Sequence, residues 1–300
     1  MIFRRRILLD STPPPSFNFD DVDVMYTLRK PEFTTEWTKA VIRLRRSSDN
    51  DFKYVFFDDN GKISLNSETS NISDTPTATT LGTWIGGNDA YVNNWIGLTP
   101  NDTIDPNKSA GQGNNSSQPQ FISSGSILTK NGEPTIDFLS DTRYLDGVAN
   151  SVLDSGETFT VFSVSNNNTN LVNGTVYNTT DTDINRISVF NDRRSNKAMA
   201  VLNTGTPVVL QYINQIDSAN QRLQTLVVDS LLITGYNDGV LEDLDIWSGT
   251  YTNDMFRIGA QQSTTNPLNG TIQEIIIYPT DKTANLNEIN TNINDYYNIY

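Results

Sequence analysis

The sequence predicts an all-β protein in which antiparallel strands pack as a sandwich. Short apolar runs recur along most of the chain, and turn-forming dipeptides separate them. The dipeptides are Asn60-Gly61, Asn131-Gly132, Asn173-Gly174, Asp238-Gly239 and Asn269-Gly270, which favour the positive φ angles of tight hairpin turns. The predicted strands are Lys39–Arg46, Tyr54–Phe57, Phe121–Leu128, Thr135–Phe138, Phe159–Val164, Arg186–Phe190, Met199–Leu202, Val208–Ile213, Leu223–Ile233, Met255–Gly259 and Thr271–Tyr278.

The first predicted elements are a short helix and a strand. Apolar residues 24, 25 and 28 have helical spacing within Val22–Lys30, and Pro31 stops the pattern. In the strand Lys39–Arg46, apolar residues 40, 42 and 44 alternate with residues 41, 43 and 45, of which two are arginines. This alternation predicts a strand with one face on the core and one face in water.

The chain ends in a predicted helix. Apolar residues recur at intervals of three and four, and Asn285 and Glu288 have the spacing of a capping pair. The recurring residues are Leu286, Ile289, Ile293, Tyr296, Tyr297 and Tyr300. We expect this helix to cover the sandwich near the N-terminal helix. In the middle of the chain, residues 101–120 are nearly bare of apolar side chains and predict a long surface loop.

The N-terminus differs from the rest of the chain and predicts an anchoring arm. Its apolar and basic tip consists of Ile2, Phe3, Arg4, Arg5, Arg6, Ile7, Leu8 and Leu9. The apolar run after the arginines is too short for a secretion signal, and no window is long enough to cross a membrane. Pro13, Pro14 and Pro15 favour an extended spacer. We therefore expect an anchoring arm over residues 1–19, one sandwich over residues 20–300, and no membrane partner.

The composition argues against several functions. The chain has no cysteine and no histidine, so thiolate metal sites, cysteine nucleophiles and Ser-His triads are excluded. Its net charge is −14, which repels nucleic-acid phosphate, and we expect no nucleic-acid partner. The charge is uneven, because residues 1–46 hold nine basic and six acidic side chains while the remainder is strongly acidic.

Several segments resemble a known family. The segments are Tyr26–Arg29, Ala40–Asn50, Ser117–Ile122, Asn131–Phe138, Phe256–Gly259, Asn269–Tyr278 and the tyrosine-rich closing helix. Together they resemble a module of tailed-bacteriophage virion proteins, distantly similar to the catalytic domain of the arabinofuranosidase B family. The resemblance covers roughly residues 20–300 and implies a concanavalin-like, or laminin-G-like, jelly roll. The family's Trp-Tyr-Asp-Gln-Ser-Gly-x-Gly segment is reduced to Trp95–Leu98 and Gly111–Gly113.

The same resemblance bears on catalysis. Retaining glycosidases need two carboxyl groups, one as acid and one as nucleophile. In the arabinofuranosidase family one of them lies after an Ile-Gly-x stretch. The similar stretch here continues with Gln261 and Gln262, and no acidic residue occurs between Arg257 and Glu274. Because an amide cannot protonate a leaving group, we expect no enzymatic activity, no catalytic residue and no cofactor.

The resemblance implies a structural virion protein that acts as a surface appendage or decoration, such as a head-fibre or tail-fibre component. Its expected partners are other virion proteins of the capsid, portal or tail, further copies of the same chain, and host-surface glycans. Its expected location is the virion, assembled in the cytoplasm of the bacterial host. The alternative is a carbohydrate-binding or glycan-degrading module related to arabinofuranosidases.

Two sets of side chains are candidate binding residues. Aromatic rings near turns could stack on sugars or pack in the core; these are Trp84, Tyr91, Trp95, Trp247 and Tyr251. Acidic residues could offer oxygen ligands to calcium; these are Glu242, Asp243 and Asp245 with Asp238, or Asp49, Asp51, Asp58 and Asp59. Neither acidic set has the spacing of an EF-hand, so we expect no metal site.

Overall fold

The computed structural model describes residues 19–139, 142–148, 152–153, 158–168, 174–180, 186–192, 198–203, 207–211, 220–229, 231–247, 251, 253–261 and 266–300. The first described strands are β1 (Val24–Thr27), β2 (Ile42–Arg46), β3 (Phe52–Val55), β4 (Glu68–Ser70), β5 (Thr77–Thr80), β6 (Ala90–Trp95), β7 (Ala110–Gly111), β8 (Gln120–Ser123), β9 (Ser126–Ile127), β10 (Thr129–Lys130), β11 (Glu133–Pro134), β12 (Ile136–Asp137) and β13 (Leu145–Gly147).

The longer strands follow in the second half of the chain. They are β14 (Phe159–Asn167), β15 (Gly174–Asn178), β16 (Arg186–Asp192), β17 (Ala198–Asn203), β18 (Pro207–Gln211), β19 (Arg222–Val228), β20 (Leu232–Asn237), β21 (Val240–Ile246), β22 (Phe256–Ile258) and β23 (Gly270–Tyr278). The helices of the described residues are α1 (Leu81–Ile85), α2 (Leu286–Tyr297) and one-turn 3₁₀ helices at Pro106–Lys108, Asn115–Ser117 and Thr283–Asn285. None of the described helices is long and apolar enough to span a membrane.

The strands pair in antiparallel fashion and form the predicted all-β sandwich. The first layer runs β21-β20-β19-β14-β23, and β1 and β12 both pair with β23. The second layer runs β5-β4-β3-β2-β6-β7-β13-β22-β15-β16-β17-β18. Strand β8 pairs with β6 and with β12, and therefore joins the layers.

Aromatic side chains fill the space between the two layers. Tyr26 of β1 lies with its ring centroid 5.8 Å from Trp95 of β6 and 5.9 Å from Phe256 of β22. All three residues are buried. Because ring pairs at such distances add to the stabilisation from burial alone, this aromatic core holds the layers in register.

Helix α2 covers the outer face of the first layer, as its periodicity predicted. Leu286, Ile289, Ile293 and Tyr297 are buried, and the Tyr297 hydroxyl donates to the Gln273 carbonyl oxygen at 3.4 Å. Every residue of β14 and β23 is buried for this reason. The capping pair forms only in part: no hydrogen bond from the Asn285 side chain caps the helix, whereas its amide approaches the Glu288 carboxylate at 3.5 Å.

The predicted N-terminal helix is wrong, because its residues form strand β1. Val24 and Tyr26 pair with Ile277 and Ile275 of β23, and all four residues of β1 are buried. The apolar positions that fitted a helix fit a strand buried on both faces equally well. Pairing with a strand far along the chain, 247 positions away at the Thr27–Glu274 contact, decided between the two.

Two predicted strands are hairpins instead. The run Phe121–Leu128 turns at Ser124-Gly125, where both φ angles are positive, and the run Leu223–Ile233 divides into β19 and β20. Asn131-Gly132 and Asp238-Gly239 do supply the expected positive-φ turns. Gly270 has a different role, because a Cβ there would lie 1.8 Å from the Asn166 carbonyl oxygen.

Two further expectations need correction. The outer face of β2 is not simply in water, because Arg45 is buried and Arg43 is half-buried. The predicted surface loop over residues 101–120 contains β7, two 3₁₀ turns and the buried side chains of Gln112 and Gln118. Gln118 accepts from Arg45 Nε at 2.7 Å. The segment therefore packs onto the second layer and forms one wall of the site described next.

Candidate functional site: a polar cleft on the second layer

An open cleft of about 960 Å³ lies on the outer face of β2, β3 and β6. Its lining residues are Lys39, Arg43, Tyr54, Ser73, Asp74, Asn93, Asn94, Ile96, Asp102, Thr103, Ile104, Pro106, Ser109, Gly111, Gln112 and Gly113. Strand alternation explains the polar floor: Ile42 and Leu44 point into the core, so Arg43 between them points outward. The packed segment after residue 101 forms the facing wall.

Amide groups join the floor of the cleft to this wall. The Gln112 N–H donates to the Asn93 carbonyl oxygen at 2.8 Å, and Asn93 Nδ2 donates to the Gln112 carbonyl oxygen at 3.1 Å. Asn94 pairs with Gly111 in the short β6–β7 ladder. The cleft is therefore built on regular backbone hydrogen bonding, and its polar side chains are held at defined positions.

The two segments that the sequence comparison matched to a Trp-Tyr-Asp-Gln-Ser-Gly-x-Gly stretch, residues 95–98 and 111–113, meet at this cleft. Trp95 pairs with Ala110, and Ile96 and residues 111–113 line the opening. The sequence pointed to these segments but not to Arg43, Asn93 or Asn94 as site residues. The alternation in β2 was the available signal for Arg43; the asparagines had none, since the chain is rich in that residue type.

The carboxylates of the cleft are held by donors from the protein. The Asp102 carboxylate accepts from the Thr38 N–H and the Thr38 hydroxyl, each at 2.7 Å. Asp74 is largely exposed and lies 3.9 Å from Lys39 Nζ. Neither carboxylate is enclosed in buried, apolar surroundings such as those of a glycosidase's acid.

The five aromatic candidates lie elsewhere. Trp84, Trp95, Trp247 and Tyr251 are buried, which is the core-packing alternative. Tyr91 is partly exposed, but the guanidinium carbons of Arg45 and Arg143 lie 5.0 and 5.2 Å from its ring centroid. The ring that does line the cleft is Tyr54.

The remaining candidates fall outside any cluster or outside the described residues. Within the described part of the chain, no group of three or more acidic side chains could hold a metal ion. Gln261 is buried, and its backbone carbonyl accepts from Arg257 Nη1 at 3.3 Å. The anchoring residues Ile2, Phe3, Arg4, Arg5, Arg6, Ile7, Leu8 and Leu9 lie outside the described residues.

The residues that carry the sequence resemblance form a second, closed cluster. Arg29 Nε and Nη2 donate to the two carboxylate oxygens of Glu274 at 2.9 and 3.1 Å, and Arg29 Nη1 donates to Asn292 Oδ1 at 2.7 Å. The ring centroids of Tyr296 and Tyr297 in α2 lie 5.1 and 5.7 Å from the guanidinium carbon of Arg29. This buried cluster joins β23 to α2 and closes the fold.

Ionisation in the closed cluster follows its burial. Burial by itself lowers the pKa of Arg29, but the Glu274 carboxylate outweighs this effect and the net shift is upward. Burial raises the pKa of Tyr297, and Glu274 adds to the rise. The arginine therefore stays charged and the tyrosine neutral at ordinary pH.

Comparison with known proteins identifies the fold. No family model and no curated protein matches the chain. A glycoside hydrolase family 54 α-L-arabinofuranosidase, solved after soaking with a cyclic sulfate inhibitor, superposes with a TM-score of 0.58 at 12% identity. An arabinofuranosidase complexed with arabinofuranosyl-α-1,2-xylobiose superposes with a TM-score of 0.54 at 12% identity. In both cases the match covers 90% of this chain and 62% of the other.

The chain thus shares its fold with glycoside-hydrolase β-sandwiches and spans less than two thirds of the arabinofuranosidases that it matches. The fold expected from the sequence resemblance to arabinofuranosidase B is confirmed at this level. The resemblance to virion proteins stays a prediction.

Proposed function

We propose that the chain is a non-hydrolytic glycan-binding protein and that it binds its ligand in the polar cleft. The cleft carries the proposal. Its volume of about 960 Å³ lies at the upper end of the ~300–1,000 Å³ usual for ligand sites. Its walls offer amide and hydroxyl groups from Asn93, Asn94 and Tyr54. Such groups both donate and accept hydrogen bonds, as sugar hydroxyls do.

The absence of hydrolysis is part of the proposal. Asp102 is held by two hydrogen bonds from Thr38, and Asp74 is 65% exposed in its side chain. A general acid for glycoside cleavage is typically a carboxyl group in buried, apolar surroundings, which neither side chain has. We expect 4-nitrophenyl α-L-arabinofuranoside to be stable in the presence of the protein. Turnover that a single Asp or Glu substitution abolished would overturn this part of the proposal.

Two glycine variants test binding in the cleft. Gly113 lines the opening, and a Cβ added there meets no atom within 4 Å. Gly113→Trp should therefore fold normally while its indole obstructs the cleft. Gly87→Trp is the matched control, because Gly87 has equally open surroundings and does not line the cleft.

The measurement is a glycan array followed by calorimetric titration of the best hit. We expect wild type and Gly87→Trp to bind alike and Gly113→Trp to lose at least ten-fold in affinity. Equal binding by all three proteins would place any glycan site elsewhere, and no binding by wild type would refute the function.

A second proposal is that this binding module belongs to a bacteriophage particle. Its support is the sequence resemblance over residues 20–300 together with the basic, apolar arm, which would dock to a capsid, portal or tail protein. Several copies in one oligomer would strengthen weak docking through effective concentration. The virion, assembled in the cytoplasm of the bacterial host, would then be its location.

Particle analysis tests this second proposal independently of glycan binding. Mass spectrometry of separated heads and tails from purified particles should find the protein in one fraction. Deleting residues 1–12 should leave the sandwich folded and prevent incorporation. Normal copy number of the truncated protein would refute the anchoring role of the arm, and absence of the full chain from both fractions would refute the virion role.

A further inference from the structure

Arg43 is a charged residue on the floor of the cleft. It projects from β2 into the cleft, and its guanidinium carbon lies 4.6 Å from the Phe52 ring centroid and 5.4 Å from that of Tyr54. Its Nη1 donates to Asn93 Oδ1 at 3.0 Å. Two rings and one amide thus fix the plane and position of the guanidinium.

Two further donor groups of Arg43, Nε and Nη2, have no acceptor among the described residues. Arg43 Nε is buried and makes no hydrogen bond. Three other arginines each hold one carboxylate with Nε and Nη2: Arg29 holds Glu274, Arg46 holds Asp49 at 3.0 and 2.6 Å, and Arg257 holds Asp146 at 2.6 and 3.2 Å. Arg43 has no such partner in the part of the chain that the structure describes.

A guanidinium that is held in place at a cleft but has no carboxylate partner needs an explanation. The nearby carboxylates do not supply one. Asp74 lies beside Lys39, and Asp102 is occupied by Thr38. Arg43 therefore has no carboxylate partner among the described residues, although the chain carries a net charge of −14.

We propose that the glycan bound in the cleft carries a carboxylate, as uronic and ulosonic acids do, and that this carboxylate accepts hydrogen bonds from the two Nη groups of Arg43, since Nε is buried. The planar fork of a guanidinium matches the two oxygens of a carboxylate. Asn93 and Asn94 then hydrogen-bond the sugar hydroxyls. This inference rests on the proposed glycan binding and names the class of sugar.

The test uses matched ligands and matched variants. The ligands are galacturonic acid oligosaccharides, their methyl esters, sialyllactose, lactose and a sulfated galactan oligosaccharide. The variants are Arg43→Gln, Arg43→Lys and, as a control outside the cleft, Arg46→Gln. Calorimetry gives the affinities, and thermal unfolding confirms that each variant is folded.

We expect an acidic oligosaccharide to bind and its neutral counterpart to bind at least ten-fold more weakly. Arg43→Gln should lower the affinity for the acid by roughly 10- to 100-fold. Arg43→Lys should restore only part of it, since an ammonium lacks the fork. Arg46→Gln should bind as wild type does.

Three results would overturn the inference. Equal affinity for acidic and neutral glycans, with loss of binding in Gly113→Trp, would refute it and leave the proposed function intact. A preference for sulfated over carboxylated sugars would refute the carboxylate assignment. Absence of binding to every glycan would refute the function and the inference together. If Arg43→Gln does not fold, the ester and Arg43→Lys comparisons decide the matter.

Discussion

Arg29 and Arg43 lie only fourteen positions apart in the sequence, yet the fold uses them in opposite ways. Both guanidinium groups lie against aromatic rings. The Arg29 guanidinium is hydrogen-bonded to Glu274 and Asn292 and covered by α2. The Arg43 guanidinium makes one hydrogen bond, to Asn93, and faces a cleft. The difference shows that partner satisfaction, and not residue type or ring contact, separates an arginine that closes the fold from one available to a ligand.

Removing α2 should have the largest effect on stability, because it opens the closed cluster around Arg29 to water. Deletion of residues 284–300 would uncover the outer faces of β14 and β23 and remove Asn292, Tyr296 and Tyr297 from Arg29. We expect an insoluble or molten protein that binds a hydrophobic dye and loses its near-ultraviolet circular dichroism. A deletion protein with an unchanged melting temperature would show that the helix is peripheral.

Breaking the buried ion pair should have the next largest effect. Glu274→Gln leaves the Arg29 charge buried without a counter-charge, and we expect a loss of about 3–5 kcal/mol in the free energy of unfolding. The double variant Arg29→Met with Glu274→Leu should recover most of this loss, because no unpaired charge then remains. Urea denaturation measures both, and a Glu274→Gln loss below about 1 kcal/mol would contradict the account of the closed cluster.

Removing one neutral donor from the same cluster should cost less. The Thr27 hydroxyl donates to Glu274 Oε1 at 2.7 Å, and Thr27→Val keeps the shape but removes this donor. We expect a loss of about 1.5–3 kcal/mol, the range for hydrogen bonds to charged groups. The matched control is Thr103→Val, since the exposed Thr103 hydroxyl bonds only the Asn101 side chain. Equal effects at both sites would remove the distinction between the closed cluster and the surface.

The smallest effect on stability is expected at the cleft itself. Arg43→Gln removes contacts with two aromatic rings and Asn93, but no ion pair. Because exposed or half-buried cation–π contacts are worth about 0.5–1 kcal/mol, we expect the free energy of unfolding to change by no more than about 1 kcal/mol. A loss comparable to that of Glu274→Gln would mean that Arg43 is a structural residue, and the comparison would fail.

The sequence predicted well wherever the signal is local. The spacing of apolar residues within 286–297 predicts α2, and the preference of Asp238-Gly239 for positive φ angles predicts a hairpin turn. It failed where two local patterns agree: residues 24–27 fit a helix or a strand buried on both faces. It left two roles open for Trp95 and Trp247, sugar stacking and core packing, because a ring near a turn has no local signal that says which side of the sheet it faces; both rings are buried.

By itself the sequence determined the all-β class, the closing helix and the absence of histidine and cysteine chemistry, because periodicity, turn preference and composition act within a few residues of one another. Only the tertiary structure decided which arginine is fully hydrogen-bonded within the fold and which one faces the cleft. Arg29 finds its carboxylate 245 positions away, and Arg43 reaches Asn93 across 50 positions. Pairings at such separations follow from strand order in the folded sandwich, which no local pattern specifies.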